Sequence, residues 1–314
     1  MQTLVTGVAG FVGSTLARRL LADGHDVVGV DALTDYYDPR LKRDNLRDIE
    51  HPRLRVVEAD LNGADLAALL ADVEVVYHQA GQPGVRKSWG SDFDTYLRGN
   101  IGATQKLLEA ALRAPHLSRF VYASSSSVYG NALRYPTEET DRPQPLSPYG
   151  VTKLAAEHLC VLYAQNYGLP TVSLRYFTVY GPRQRPDMAF TRFCTSVRDG
   201  DEIPVFGTGQ QVRDFTYVDD VVAANLRVAT ADVPAGAVFN VAGGTSTTVN
   251  EVIELLGEIS GRTPAVRRGD PVPGDVERTG GSTAAIEAAT GWAPTVPLRE
   301  GLAEQYRWAA SVLT

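Results

Sequence analysis

Through the first half of this 314-residue chain, short apolar runs alternate with longer amphipathic stretches, and that alternation sharply limits the folds open to it. An apolar run bounded by turn residues reads as a buried strand, and the segments between the runs carry helical periodicity. Repetition of the two gives parallel strands joined by crossover helices. The expected strands are Thr3 to Thr6, Asp26 to Val30, Leu54 to Glu58, Val73 to His78, Arg119 to Ala123 and Thr171 to Arg175. The expected helices are Phe11 to Ala22, Ala64 to Leu70, Asp94 to Arg113 and Pro148 to Tyr167. Together they predict an α/β, Rossmann-like, doubly wound parallel sheet over residues 1–176. Beyond Tyr176 the texture changes to Gly/Pro-punctuated short elements such as Gly181-Pro182 and Gly207-Thr-Gly209. A smaller mixed α/β lobe is expected over residues 177–213 and 242–314, with 214–241 returning to the first sheet as helix plus buried strand.

The glycines of Gly7-Val-Ala-Gly10-Phe11-Val12-Gly13 stand between the first strand and the first helix. Glycine there permits a tight turn and close backbone approach, so a pyrophosphate can rest on the helix N-terminus. Asp31 ends the second strand, where a carboxylate accepts hydrogen bonds from the ribose hydroxyls of an adenosine. It would repel a 2'-phosphate, and no arginine or lysine follows it until Arg40, so the expected cofactor is NAD and not NADP. Asp60-Leu61 is placed to meet the adenine, and Ala80-Gly81-Gln82 supplies a close-approach loop near the pyrophosphate.

Tyr149 and Lys153 lie four residues apart in a helical segment, which puts both on one face. A free tyrosine is a poor base near neutrality, its reference pKa being about 10. Lowering that value by roughly three units requires about 4 kcal/mol of preference for the charged form. A nearby lysine and a cationic cofactor ring are the expected sources.

A formal net charge of -7 argues against a nucleic-acid reader, whose footprint would be basic. Cys160 and Cys194 lack metal-ligand spacing and read as packed thiols of a reducing compartment, so no metal is expected. No apolar run approaches the roughly 18 to 20 residues of a membrane span. The chain opens directly into its first strand, leaving no room for a signal peptide, so a cytoplasmic protein is expected.

Six ordered motifs add a family resemblance: Gly7 to Gly13, Asp60-Leu61, Ser124-Ser-Ser-Ser-Val-Tyr-Gly130, Tyr149 to Lys153, Arg175-Tyr-Phe-Thr-Val-Tyr-Gly-Pro182 and Arg213-Asp-Phe-Thr-Tyr-Val-Asp-Asp220. They closely resemble the extended short-chain dehydrogenase/reductase family of nucleotide-sugar epimerases and dehydratases. The resemblance implies that Ser125 shares the reacting hydroxyl of a substrate with Tyr149, and that Asn100, Ser124 and Tyr176 join the cofactor contacts. It also implies a homodimer built from the Asp94 to Arg113 and Pro148 to Tyr167 helices. Ser127 stands where dehydratases and decarboxylases of the family carry a glutamate, which lowers the expectation of a second proton transfer.

Within the family, Gln82-Pro83-Gly-Val-Arg86, Thr178, Arg185-Pro-Asp-Met-Ala189 and Asp35-Tyr-Tyr-Asp-Pro-Arg-Leu-Lys42 look like the 4-epimerases acting on UDP-glucuronate. That likeness implies a UDP-sugar substrate, with Arg185 clamping the C6 carboxylate and Thr178 adding a hydroxyl contact. Arg86 and Arg213 are the candidates for the diphosphate and Asp275 for a further nucleotide contact, with Pro83, Ser126 and Ser127 beside the sugar. UDP-glucose 4-epimerase and UDP-glucuronate decarboxylase are the alternatives among enzymes. A non-catalytic NAD-binding scaffold or sensor is the alternative from another class.

Overall fold

The central strands are buried on both faces, the pattern left when crossover helices joining parallel strands cover each side of a sheet. The computed structural model describes residues 1–270 and 276–312. Its main sheet contains β1 (Gln2–Thr6), β2 (Asp26–Asp31), β3 (Leu54–Glu58), β4 (Val75–His78), β5 (Arg119–Ser125), β6 (Thr171–Tyr176) and a seventh strand, Ala237–Val241. From one edge the order is Ala237–Val241, β6, β5, β4, β1, β2, β3, and every pairing is parallel. The strand order reverses between β1 and β4, which opens a crevice at their carboxyl ends.

On one face Val5, Val27, Val75, Val121 and Val172 pack against Leu16 and Leu20 of α1 (Phe11–Ala22) and against Val221 and Val228 of helix Val218–Thr230. On the other, Leu4, Val28, Val76 and Phe120 meet Leu107 and Leu108 of helix Ala103–Ala111 and Ala156 and Cys160 of helix Pro148–Tyr167. Both cysteines are buried free thiols, and burial raises the pKa of each, Cys194 to about 12. Helix Pro148–Tyr167 begins where Ser147 accepts from Gly150 N at 3.1 Å with Pro148 in the first turn, and ends at Gly168 in the left-handed region. A third core joins Tyr180, Phe190, Phe215, Leu256 and Leu302 under helices Ala189–Asp199, Val249–Ser260 and Leu298–Val312.

The structure corrects several expected bounds. The single helix expected from Asp94 to Arg113 is divided: an α-turn, Phe93–Tyr96, leads into a π-helical stretch, Leu97–Gly102, before Ala103–Ala111. The wider stretch carries Asn100, whose amide accepts from Gln82 N at 2.6 Å and donates to Gln82 O at 3.1 Å. A π-bulge is a common device for aiming such a side chain. The helix expected from Ala64 starts at Leu66, capped by Asp65, and the strand expected from Val73 starts at Val75 because Val73 closes a turn onto Leu70 O at 3.2 Å.

The helix expected from Asp214 starts at Val218. Thr216–Tyr217 is instead a short strand beside Val179–Tyr180, and buried Asp214 serves as a junction. Its Oδ1 accepts from Gly243 N at 2.9 Å and Thr245 N at 3.4 Å, and its Oδ2 from Gly281 N at 3.3 Å. Burial raises the Asp214 carboxyl to about 6 against these opposing bonds. The folded value lies above the unfolded one, so protonation favours the fold, and the cost of the ionised form fades as pH falls through 6. Asp214→Ala would strand three backbone N–H groups and is expected to lower stability by about 3 kcal/mol in urea unfolding at pH 7.

Candidate active site

The crevice between β1 and β4 is shaped first by backbone contact. Gly7 has φ +69°, and a Cβ there would lie 2.9 Å from the Ala80 backbone. A Cβ on Gly13 would sit 2.0 Å from the Gly7 carbonyl oxygen, so α1 can start this close to β1 only with glycine at that position. The helix begins after Gly10 with no side chain capping its first turn. Gly10, Phe11, Val12 and Gly13 line a cleft of ≈ 630 Å³. The free N–H groups and dipole of that turn suit a diphosphate.

Asp31 is pinned at the cleft wall, its Oδ2 accepting from Ala9 N at 3.0 Å and its Oδ1 from Leu33 N at 2.8 Å. Asp60, Leu61, Ala80, Gly81 and Gln82 continue the wall. A Cβ on Gly81 would come 2.9 Å from Asn100 Oδ1 and 3.8 Å from Lys153 Nζ, a cradle that only glycine leaves open. These residues fit a dinucleotide along the cleft.

Ser125 and Tyr149 come together from β5 and helix Pro148–Tyr167, and both line the cleft. The Tyr96 ring stands edge-on to Tyr149 at 6.3 Å. Burial raises the Tyr149 pKa, and the nearby Ser125 hydroxyl and the charge of Arg185 oppose it without reversing the shift. Lys153 Nζ lies over the Tyr122 ring at 4.7 Å, and desolvation lowers its pKa to about 8 despite Cys160 and Glu157 nearby.

Beneath them Glu157 and Arg175 form a buried pair, Oε1 to Nη2 at 2.6 Å and Oε2 to Nε at 3.0 Å. Ser124 lines the cleft but gives its hydroxyl to Glu157 Oε2 at 2.6 Å. Tyr176 also lines the cleft, its hydroxyl 3.0 Å from Asn225 Oδ1.

At the far end Pro83, Ser126, Ser127, Thr178 and Arg185 line the same cleft. Arg185 donates from Nε to Asp187 Oδ1 at 3.0 Å and from Nη2 to Oδ2 at 3.1 Å. Other expected residues fall outside the lining. Arg86 is exposed and stacks on the Phe206 ring at 4.5 Å, and Arg213 donates to Val212 O at 2.9 Å and Glu277 O at 3.3 Å. Asn100 is buried behind the wall and shapes it through Gln82. Asp275 lies outside the described residues.

Tyr36, Tyr37, Lys42, Arg98 and Met188, not among the residues expected at the site, also line the cleft. The Asp35 to Lys42 motif held a signal for the first three. The ammonium of Lys42 is anchored on Thr34 O at 2.9 Å and over the Tyr37 ring at 5.0 Å. Among the described residues no group of three or more His, Cys, Asp or Glu is placed to hold a metal ion, and no helix is long and apolar enough to cross a membrane.

A doubly wound sheet with a glycine-lined dinucleotide cleft and a facing Ser–Tyr–Lys cluster defines a dinucleotide-dependent enzyme class. The model of the NAD dependent epimerase/dehydratase family matches residues 3–242, and the chain belongs to that family. It is 41% identical to an uncharacterized UDP-glucose epimerase of Bacillus subtilis, over 99% of both chains. A probable UDP-glucuronate 4-epimerase of Rhizobium meliloti is 37% identical over 98% of this chain and 96% of its own. The crystal structure of UDP-glucuronic acid 4-epimerase from Bacillus cereus, in complex with UDP-glucuronic acid and NAD, superposes with TM-score 0.95. That protein is 41% identical, over 98% of this chain and 99% of its own.

The lysine buried in the cleft has a measurable signature. Its folded pKa near 8 lies below the ordinary 10.5, so the ionised form costs stability fully below pH 8 and progressively less as pH rises toward 10.5. Lys153→Met is expected to gain on the order of 2–3 kcal/mol at pH 7, and the gain should shrink when urea unfolding is repeated at pH 10.

Proposed function

We propose that this chain is a UDP-glucuronate 4-epimerase, interconverting UDP-glucuronate and UDP-galacturonate through a 4-keto sugar. The observation that carries the reading is that the Ser125–Tyr149 pair and Arg185 face one cleft from opposite lobes. Tyr149 acts as the base at the C4 hydroxyl and returns a proton after the sugar has turned, while Ser125 orients the reacting oxygen. Bound NAD would supply a reversible hydride acceptor for C4 and, in its oxidised form, a positive charge favouring the phenolate. Gly7 to Gly13, the α1 N-terminus, Asp31, Asp60 and Lys153 hold it.

Oxidation at C4 makes a β-keto acid, and CO2 leaves readily only when the scissile bond aligns with the carbonyl π system. Arg185 and Thr178 hold the carboxylate out of that alignment. Ser127, before Val128-Tyr-Gly130, offers no second acid or base. Residues 1–176 with 214–241 form the NAD-binding unit, and 177–213 with 242–314 the sugar-nucleotide unit. The enzyme works in the cytoplasm as a homodimer. Leu97, Val151 and Leu162, exposed at 38%, 48% and 50%, mark an apolar face on the expected helix pair and support this arrangement.

Incubation with UDP-glucuronate should give a second anomeric proton signal, that of UDP-galacturonate, by NMR with no CO2 release. Absence of turnover of any UDP-sugar would overturn the reading. Arg185→Ala is expected to cut kcat/KM for UDP-glucuronate about a hundredfold and to raise the share of decarboxylated product. Leu162→Glu should shift the sedimenting species from dimer to monomer, since a charge would then replace apolar surface at the interface.

A further inference from the structure

Asp187 pairs with Arg185 at the rim of the cleft. Arg185 lines the cavity and Asp187 does not, although the two are joined by paired hydrogen bonds of 3.0 and 3.1 Å. This is side-on pairing, which occupies Nε and one N–H of Nη2. The opposite fork, Nη1 with the second N–H of Nη2, is left for a ligand, and Nη1 makes no hydrogen bond among the described residues. The pair is held from the facing rim by Tyr36, whose hydroxyl lies 3.5 Å from Asp187 Oδ2 and whose ring lies 5.8 Å from the guanidinium. Lys87 approaches the same ring at 4.9 Å but is exposed, so solvent screens its charge.

Two consequences follow for a sugar entering the cleft. A lone, largely enclosed guanidinium would attract a carboxylate strongly, and a neutral hydroxymethyl group closing over it would leave a desolvated charge unpaired. With Asp187 attached, the guanidinium is already neutralised. A neutral sugar then strands no charge, and a carboxylate meets a cation that another carboxylate already shares.

We propose that Asp187 sets the specificity of this site: by neutralising Arg185 it narrows the preference for acidic over neutral UDP-hexoses and keeps both within reach of the enzyme. The inference deepens the epimerase reading and rests on it. Asp187 is a positioning and charge-balancing residue, exposed on the rim and removed from the reacting atoms.

The test is calorimetric titration of the NAD-loaded protein with UDP-glucuronate, UDP-glucose and UDP, in wild type and in Asp187→Asn and Asp187→Glu. The ratio of Kd for UDP-glucose to Kd for UDP-glucuronate should rise about tenfold in Asp187→Asn, which keeps the shape and loses the charge. It should stay within about twofold of wild type in Asp187→Glu, with affinity for UDP unchanged in both. A ratio unchanged or lowered in Asp187→Asn, or raised equally in Asp187→Glu, overturns the proposal. If Asp187→Asn does not fold, Asp187→Ser reads the same ratio. Epimerisation of UDP-glucuronate by the wild type is followed separately by NMR, so failure of the epimerase reading and failure of the Asp187 assignment give different results.

Discussion

The backbone contact at the β1–α1 turn is the constraint on which the rest of the site depends. Gly7 abuts the Ala80 backbone, and Gly13 abuts the Gly7 carbonyl. A side chain at either position would push α1 away from the sheet. With the helix seated, its unpaired N–H groups line the cleft, and its opposite side presents Leu16 and Leu20 to the core shared with helix Val218–Thr230. Cofactor geometry and core packing thus share one structural requirement. Asp31 links them further by bonding Ala9 N within the glycine turn itself.

A second fixed point lies under the reacting end. Tyr149, Lys153 and Glu157 follow at four-residue intervals, so one helical face carries all three. Glu157 meets Arg175 of β6 in a buried pair, and Arg175 also donates to Tyr129 Oη at 2.6 Å. Tyr129 in turn donates to Asn240 of the edge strand at 2.8 Å. A buried pair gains little over apolar packing, but removing one partner leaves a bare charge, so such a network fixes position more than it adds stability. Here it sets the depth of the Tyr149 helix against the sheet.

Much of this was legible in the sequence because it rests on local rules. The sheet strands read from their apolar runs, α1 from the glycine turn before it and helix Pro148–Tyr167 from its Ser-Pro start and Gly168 stop, and their expected bounds differ from the observed ones by two residues or fewer. What was misread involves partners distant in sequence. Nothing near Asn100 announces that it will bond Gln82 and widen its own helix. Asp214 has the appearance of a helix-opening residue, yet its partners Gly243, Thr245 and Gly281 arrive from 29 to 67 residues away.

The sequence by itself determined the parallel sheet and the glycine-lined dinucleotide cleft, since these follow from periodicity and glycine placement, while Ser125 joined the Tyr149–Lys153 pair through the family resemblance. Only the tertiary structure decided which cations reach the cleft and how their charge is balanced. Arg185 enters it already held by Asp187, and Lys153 is desolvated to a pKa near 8. Burial and charge pairing are sums over groups from separate segments, and no local pattern in the chain encodes such a sum.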